Sequence, residues 1–233
     1  MSLLRIRGLN QSYGGSHTLW DIDLDVAVGT RLCLMGRNGT GKTTLLKCIM
    51  GLIPVTSGEI TFDGIDLHSL PAESRARLGV GYVPQGREIF PQLTVEENLK
   101  IGLTARQDRH RDIPAQVFEL FPVLKQMLQR RGGDLSGGQQ QQLAMGRALV
   151  LEPRLLILDE ATEGIQPNIV QEIGDIILRL NRETGVTVLL VEQKLPFARR
   201  VASEFQILDK GRSVGRGSIG ELSDDDISQH LSV

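Results

Sequence analysis

Hydrophobic and polar residues alternate through Leu4-Arg5-Ile6-Arg7 and again through Ile22-Asp23-Leu24-Asp25-Val26, the period of a strand with one buried face. Arg31-Leu32-Cys33-Leu34-Met35 is a short, largely apolar strand, so residues 1–35 read as β. A glycine-rich turn then opens a helix with Leu45, Leu46, Ile49 and Met50 on one side and Gly51 placed to stop it. Residues 58–64 and 80–83 read as two further strands. From about residue 90 to residue 150 the pattern turns helical. Thr94 with Glu97, and Ser136 with Gln139, have the spacing of capping boxes, the second ahead of a helix carrying Leu143, Met145 and Leu149. Residues 105–112 are charged and read as a loop, and residues 113–128 as a helical region bent or broken near Pro122. Leu155-Leu156-Ile157-Leu158 is a continuous apolar run, as expected of a strand covered on both faces. Pro167 suits the first turn of a helix whose Ile169, Val170, Ile173, Ile176, Ile177 and Leu180 form a 3.6-residue stripe, with Gly185 to end it. Residues 186–191 read as the next buried strand, 204–217 as a terminal hairpin, and a short acidic helix starts from Ser223. Alternating strands and helices predict an α/β fold with a mostly parallel sheet and antiparallel hairpins. Residues 1–88 and 151–233 would form the core, and 89–150 a helical subdomain.

Composition narrows the function by exclusion. The 233 residues carry 26 Lys and Arg against 28 Asp and Glu, a net charge of −2, which argues against a generally basic surface for nucleic acid or anionic lipid. Aromatics at 4% are too few for a base-stacking platform. No segment approaches the roughly 20 apolar residues of a membrane span. The start, Met1-Ser2-Leu3-Leu4-Arg5-Ile6-Arg7, lacks an unbroken apolar run, so no secretory signal is expected. Cys33 and Cys48 lie in apolar surroundings and read as reduced core residues of a cytosolic protein. His17, His68, His110 and His230 lack metal-ligand spacing and read as solvated, and Trp20 as core or hairpin packing. Asp224-Asp225-Asp226 reads as a charge cluster favoured at a helix N-terminus.

Two motifs carry chemistry. Gly36-Arg37-Asn38-Gly39-Thr40-Gly41-Lys42-Thr43 fits G-x-x-x-x-G-K-[ST], between a strand and a helix as that motif requires. Its glycines let backbone N–H groups turn inward onto phosphate oxygens, and the helix N-terminus adds its positive end. Lys42 is placed for the β- and γ-phosphates and Thr43 for Mg²⁺, with Thr44 next on the same turn. Leu155-Leu156-Ile157-Leu158-Asp159-Glu160 sets two carboxylates at the C-terminal end of a buried strand, the edge where open α/β sheets bind ligands. Asp159 suits Mg²⁺ through its water shell, and Glu160 suits orienting or deprotonating a water. Together these leave GTPases, kinases and helicases open, although a guanine-specifying Asn-Lys-x-Asp sequence is absent. Leu135-Ser136-Gly137-Gly138-Gln139, which begins 24 residues before Asp159, offers a hydroxyl and bare amides at a helix N-terminus, a second anion site.

That segment resembles the signature of ATP-binding-cassette ATPases, and the resemblance runs from about Leu3 to Gly217. It implies a P-loop NTPase core with ATP and Mg²⁺ bound. Tyr13, ahead of the first hairpin, looks like the aromatic that stacks on adenine. Gln85, in Tyr82-Val83-Pro84-Gln85, looks like the glutamine that reaches Mg²⁺ and the attacking water beside the membrane subunits. The resemblance also implies that Ser136, Gly137, Gly138 and Gln139 meet ATP on an opposite protomer, and hence a dimer during turnover. It further implies integral-membrane permease partners, indirectly a solute-binding protein, no nucleic acid, and a peripheral place on the inner face of the plasma membrane.

Departures from the family pattern point to a branch. Gln193 stands where many members carry a switch histidine; its amide can still donate to a γ-phosphate but cannot become an imidazolium. That leaves Glu160 as the main catalytic candidate, with Gln85 and Gln193 beside it. Ala161 replaces the usual proline, Gln166 stands in for a cross-dimer aspartate, and Gln142 for a common arginine. Val83-Pro84-Gln85-Gly86-Arg87-Glu88-Ile89-Phe90-Pro91 and Val191-Glu192-Gln193 are similar to ATPases of branched-chain amino-acid importers. Thr162-Glu163-Gly164-Ile165-Gln166-Pro167 and Glu192-Gln193-Lys194-Leu195-Pro196-Phe197-Ala198-Arg199 look closest to those for urea or short-chain amides. The resemblance thus implies the ATPase of a urea or short-chain amide importer; the alternatives are a branched-chain amino-acid importer ATPase, an exporter ATPase, a soluble ABC ATPase of translation or DNA repair, and a non-hydrolysing regulatory module.

Overall fold

The computed structural model describes residues 1–106 and 112–231. Ten strands form two sheets. The first is antiparallel: β1 (Ser2–Tyr13) pairs with β2 (Ser16–Ala27) on one side and, beyond the P-loop, with β4 (Ser57–Phe62), which pairs with β5 (Ile65–Asp66). The second contains β3 (Arg31–Met35), β6 (Val80–Val83), β7 (Leu155–Asp159), β8 (Thr187–Val191), β9 (Glu204–Asp209) and β10 (Arg212–Ser218). Its order is β10-β9-β3-β8-β7-β6, parallel throughout except for the β9–β10 hairpin. Nine α-helices lie among the described residues: α1 (Lys42–Met50), α2 (Ala72–Arg77), α3 (Val95–Leu103), α4 (Ala115–Leu120), α5 (Pro122–Gln126), α6 (Gly137–Leu149), α7 (Pro167–Thr184), α8 (Leu195–Val201) and α9 (Asp224–Asp226).

The strand pleat sorts side chains into two cores. Leu32 and Leu34 of β3, Leu155 and Ile157 of β7, and Leu189 and Val191 of β8 pack with α1 and the antiparallel sheet. Cys33, Leu156, Leu158, Val188 and Leu190 face the other way, onto α6, α7, α8 and the helices between β6 and β7. Alternate residues of a strand point to opposite faces, so both layers need apolar side chains, which is why β7 and β8 read as unbroken apolar runs.

The expected elements are present, with differences that have physical reasons. Pro122 separates α4 from α5, and both capping boxes form, at Thr94–Glu97 and Ser136–Gln139. β1 and β2 run for 12 residues each, longer than their alternating stretches, because register shifts carry the pairing past breaks in the alternation. Tyr13 therefore sits at the hairpin tip, not before it. The helices α2 and α8 were not expected; both are short and start at or next to a proline, and neither shows a long stripe. Both cysteines are buried and free. Trp20 is a hairpin residue, partly exposed, stacked on His17 with ring centroids 3.5 Å apart. His17 is therefore not solvated as expected, and His230 is half-buried 3.5 Å from Asp209. His68 is exposed; His110, and most of the loop expected at 105–112, fall outside the described residues.

One buried charge anchors the helix that follows the P-loop. Arg75 of α2 is 4% exposed and donates to Cys48 and Ile49 carbonyls at the end of α1 (2.7 and 2.8 Å), and to those of Leu67 and Leu70 (2.7 and 2.8 Å). It satisfies carbonyls that a helix end leaves without partners. The same guanidinium excludes a side chain at Gly51, whose Cβ would lie 2.8 Å from Arg75 Cζ. Arg75→Met keeps the bulk but takes a donor from four carbonyls, of which Cys48 and Leu67 retain a backbone N–H partner and Ile49 and Leu70 lose the guanidinium that bonds them. It is expected to lower unfolding stability by about 3 kcal/mol, read from the urea midpoint at unchanged slope.

Candidate functional site

The loop between β3 and α1 is shaped as an anion cradle. Gly36 has φ 149°, and a Cβ there would overlap the Leu208 carbonyl oxygen; Gly41 has φ 102°, and a Cβ would lie 2.6 Å from Leu19 Cδ2. Backbone angle and space both exclude a side chain. Gly41 is the N-cap of α1, and no side chain caps that helix. The N–H groups of Lys42, Thr43 and Thr44 thus face outward at the positive end of the helix. Thr40 ties the loop to itself, its hydroxyl donating to the Arg37 carbonyl at 2.9 Å. Lys42 is buried, its ammonium donating to the carbonyls of Gly36 (2.7 Å) and Arg37 (2.8 Å). Burial pushes its pKa down, while the charges of Glu160 and Asp159 act in the opposite direction.

Asp159 ends β7 in the same phase as Leu155 and Ile157, so the pleat turns it toward α1. It is fully buried. Thr43 donates its hydroxyl to Oδ1 at 3.4 Å, and Oδ2 has no hydrogen-bond partner. Burial pushes the carboxyl up to about 6, the Glu160 charge adds to this, and Thr43 and Lys42 oppose it. On the next strand, burial and the Asp159 carboxylate push the Tyr82 phenol well above its ordinary range.

Glu160 leaves the strand with φ 49°, a left-handed angle that costs a side-chain-bearing residue on the order of 1 kcal/mol. Its carboxylate lies between two amides. Gln85 Nε2 donates to Glu160 Oε2 at 3.1 Å and to Glu163 Oε2 at 3.0 Å. Gln193 Nε2 donates to Glu160 Oε1 and to Asn38 Oδ1, the latter at 2.6 Å. Asn38, Gln193, Glu160 and Gln85 follow β3, β8, β7 and β6, so the chain of hydrogen bonds crosses the sheet edge in strand order.

Asn38, Lys42, Thr43, Gln85, Glu160 and Gln193 line one cleft of about 650 Å³, a volume suited to a small ligand, whereas Gly36, Arg37, Thr40 and the buried Asp159 do not line it. A buried carboxylate oxygen without a partner, next to the Thr43 hydroxyl, is the hard-oxygen environment that Mg²⁺ takes. Among the described residues no three His, Cys, Asp or Glu side chains gather into a cage. The remaining ligands of such an ion would be water and substrate phosphate, which is how Mg²⁺ is commonly held. The donor set fits that ion.

Comparison with known proteins agrees with this geometry. The family model described as "ABC transporter" matches residues 19–163. A probable branched-chain amino acid transport ATP-binding protein, LivF, of Archaeoglobus fulgidus is 39% identical over 221 residues, 94% of each chain. A high-affinity branched-chain amino acid transport ATP-binding protein, BraG, of Pseudomonas aeruginosa is 43% identical over 203 residues, 87% of each chain. The chain belongs to the ABC transporter family. It is an ATP-binding subunit of that family. Among solved structures, an ATP-binding subunit of an ABC transporter superposes with a TM-score of 0.84 at 28% identity, covering 97% of this chain and 98% of that one. An ATP-binding cassette in its ADP conformation shares the fold, with a TM-score of 0.81 at 23% identity and 98% coverage of both.

Not every residue expected at the site of this ABC subunit lies on the cleft. Tyr13 is about half exposed at the hairpin tip and does not line it; Thr18 of the same hairpin does. Ser136, Gly137, Gly138 and Gln139 do not line it either: Ser136 is exposed at the start of α6, occupied in its capping box. Gln166 precedes α7 and Gln142 is buried on α6, donating to Glu172 at 3.1 Å. Sequence reasoning overlooked Thr18, Tyr82, Thr162 and Glu192, and gave Glu163 no role. The signal for Glu192 was present: an acid directly after an apolar strand, as at β7.

Asp159 has a consequence for stability. Its folded-state pKa, about 6, lies above the ordinary aspartate value of 3.8, so the native state binds the extra proton between those values. Stability then falls as pH rises from about 4 to 6, and Asp159 is a net cost above that range. Asp159→Asn should stabilise the nucleotide-free protein by about 2–3 kcal/mol at pH 7.5, with the gain vanishing near pH 4. Urea titrations across that range check both the size and the sign.

Proposed function

We propose that this chain hydrolyses ATP to power an ABC importer, with branched-chain amino acids as the solute class. The observation that carries the hydrolytic part is the hydrogen-bonded row that joins Asn38 of the P-loop through Gln193 and Glu160 to Gln85 along one cleft, with Asp159 buried next to Thr43 of that lining. Phosphate oxygens replace the Gly36 and Arg37 carbonyls at the Lys42 ammonium, and the first-turn N–H groups of α1 hold the same anion. Asp159 and Thr43 would hold Mg²⁺, which supplies charge neutralisation at the phosphates. Glu160 Oε accepts a proton from the water whose oxygen bonds the γ-phosphorus as the bond to the β–γ bridging oxygen breaks, giving ADP and phosphate. Gln85 and Gln193 fix the carboxylate for that transfer. Ser136 to Gln139 would serve a second subunit's nucleotide. The exposure of Ser136 and its absence from its own cleft lining support a dimer, of two copies or with a related ATPase. Docking on integral-membrane subunits fed by a solute-binding protein completes the reading. Among the described residues no helix is long and apolar enough to cross a membrane, consistent with a peripheral place on the inner face.

The two branched-chain relatives support the solute class. A second reading, urea or short-chain amides, rests on the loop sequences at 162–167 and 192–199. Two experiments test these readings. Glu160→Gln should lower phosphate release by about 100-fold or more and leave equilibrium ATP binding intact; wild-type turnover would overturn the role of Glu160. In source cells carrying Glu160→Gln, uptake of labelled leucine should be lost while urea uptake persists. The reverse pattern moves the chain to the urea branch.

A further inference from the structure

Behind the row of hydrogen bonds lies a second, buried one. Glu192 follows β8 directly and is 3% exposed, yet it ends in no ion pair among the described residues. Its Oε1 accepts from the Thr162 hydroxyl at 2.7 Å. Its Oε2 accepts from the backbone N–H of Gln193 at 3.2 Å and, at 3.4 Å, from that of Lys194. Lys194 returns the connection, its ammonium donating to the Thr162 carbonyl at 2.9 Å. One carboxylate therefore ties the loop after β7, which carries Glu160 and Glu163, to the loop after β8, which carries Gln193.

We propose that Glu192 is a positioning residue for ATP hydrolysis: it clamps the two loops together and so holds the Gln193 amide on the Glu160 carboxylate. A buried carboxylate is an expensive choice for a purely structural tie, since burial pushes its carboxyl upward against the hydroxyl and amide bonds that favour the charged form. What it provides is acceptor capacity: a carboxylate accepts on both oxygens and donates nothing. Three donors from two loops can converge on it, which an amide at this position could not match. In one orientation an amide sets its NH₂ against the N–H groups of Gln193 and Lys194; in the flipped one it turns its NH₂ to Thr162 and leaves that hydroxyl proton without its acceptor. Either orientation loosens the tie and releases the Gln193 side chain from Glu160.

This inference rests on Glu160 acting on the water, and the test separates the two. Steady-state ATP hydrolysis and equilibrium ATP binding are measured for Glu192→Gln, Thr162→Val and Thr162→Ser, with Glu160→Gln in parallel. Misplacement by about 1 Å costs on the order of 100-fold, so Glu192→Gln should lower kcat by about 10- to 100-fold with ATP affinity unchanged. Thr162→Val should fall in the same direction, and Thr162→Ser, which keeps the hydroxyl, should retain activity. The decisive readout is a double-mutant cycle on kcat: in a Gln193→Ala background Glu192→Gln should have almost no further effect. Additive losses, or a Glu192→Gln variant with wild-type kcat, overturn the proposal while Glu160→Gln remains inactive. If Glu160→Gln itself turns over normally, the hydrolytic reading is what fails. Should Glu192→Gln not fold, the same cycle between Thr162→Val and Gln193→Ala decides the matter: coupled losses support the clamp and additive losses overturn it.

Discussion

The interior of this protein holds two opposite charges that it does not bring together. The Lys42 ammonium rests on two carbonyls of its own loop, and Asp159 keeps one carboxylate oxygen without any partner. An unpaired buried ion is costly, and a direct ion pair would relieve both at once. The fold prevents this by fixing the two backbones separately. Lys42 belongs to α1, whose far end is tied down by Arg75. Asp159 belongs to β7, held on both sides by β6 and β8. The unrelieved charges mark where a phosphate and a cation gain most by entering, and the rest of the structure keeps them apart.

Strand order decides which loops meet there. β3, β8, β7 and β6 are neighbours in space although they lie far apart in sequence. Their C-terminal ends deliver the P-loop, Glu192 with Gln193, Asp159 with Glu160, and Gln85 to one edge. Asp159 pairs in register with Val191, so the residues after them leave the sheet side by side. This is how Glu160 and Gln193, 33 positions apart, share a hydrogen bond, and how Thr162 meets Glu192 one layer deeper.

Local signals in the sequence carried most of this. Period and apolar runs located β3, β7, β8, α6 and α7, because those elements bury long uniform faces. The P-loop and the acid pair were legible because their chemistry sits in contiguous residues. Arg75 was not, because a helix of six residues stabilised by one buried guanidinium leaves no periodic trace. The Gln193–Asn38 and Thr162–Glu192 contacts were not legible either. They join loops whose proximity is set by sheet order, which spacing along the chain does not reveal.

Asp159 and Glu160 are consecutive and chemically alike, yet the structure gives them opposite environments. Asp159 keeps strand geometry, points into the α1 face and is desolvated, so it gains most from a bound cation. Glu160 breaks the strand with a left-handed angle and reaches the cleft, where two amides hold its oxygens. A buried carboxylate with one oxygen lacking a partner suits binding a hard ion, and one held by amide donors in an open cleft suits taking a proton from water. One residue of backbone twist, supported by the ladder behind it and by the loop pairing in front, divides a pair of identical functional groups into one fitted to hold a hard cation and one fitted to accept a proton.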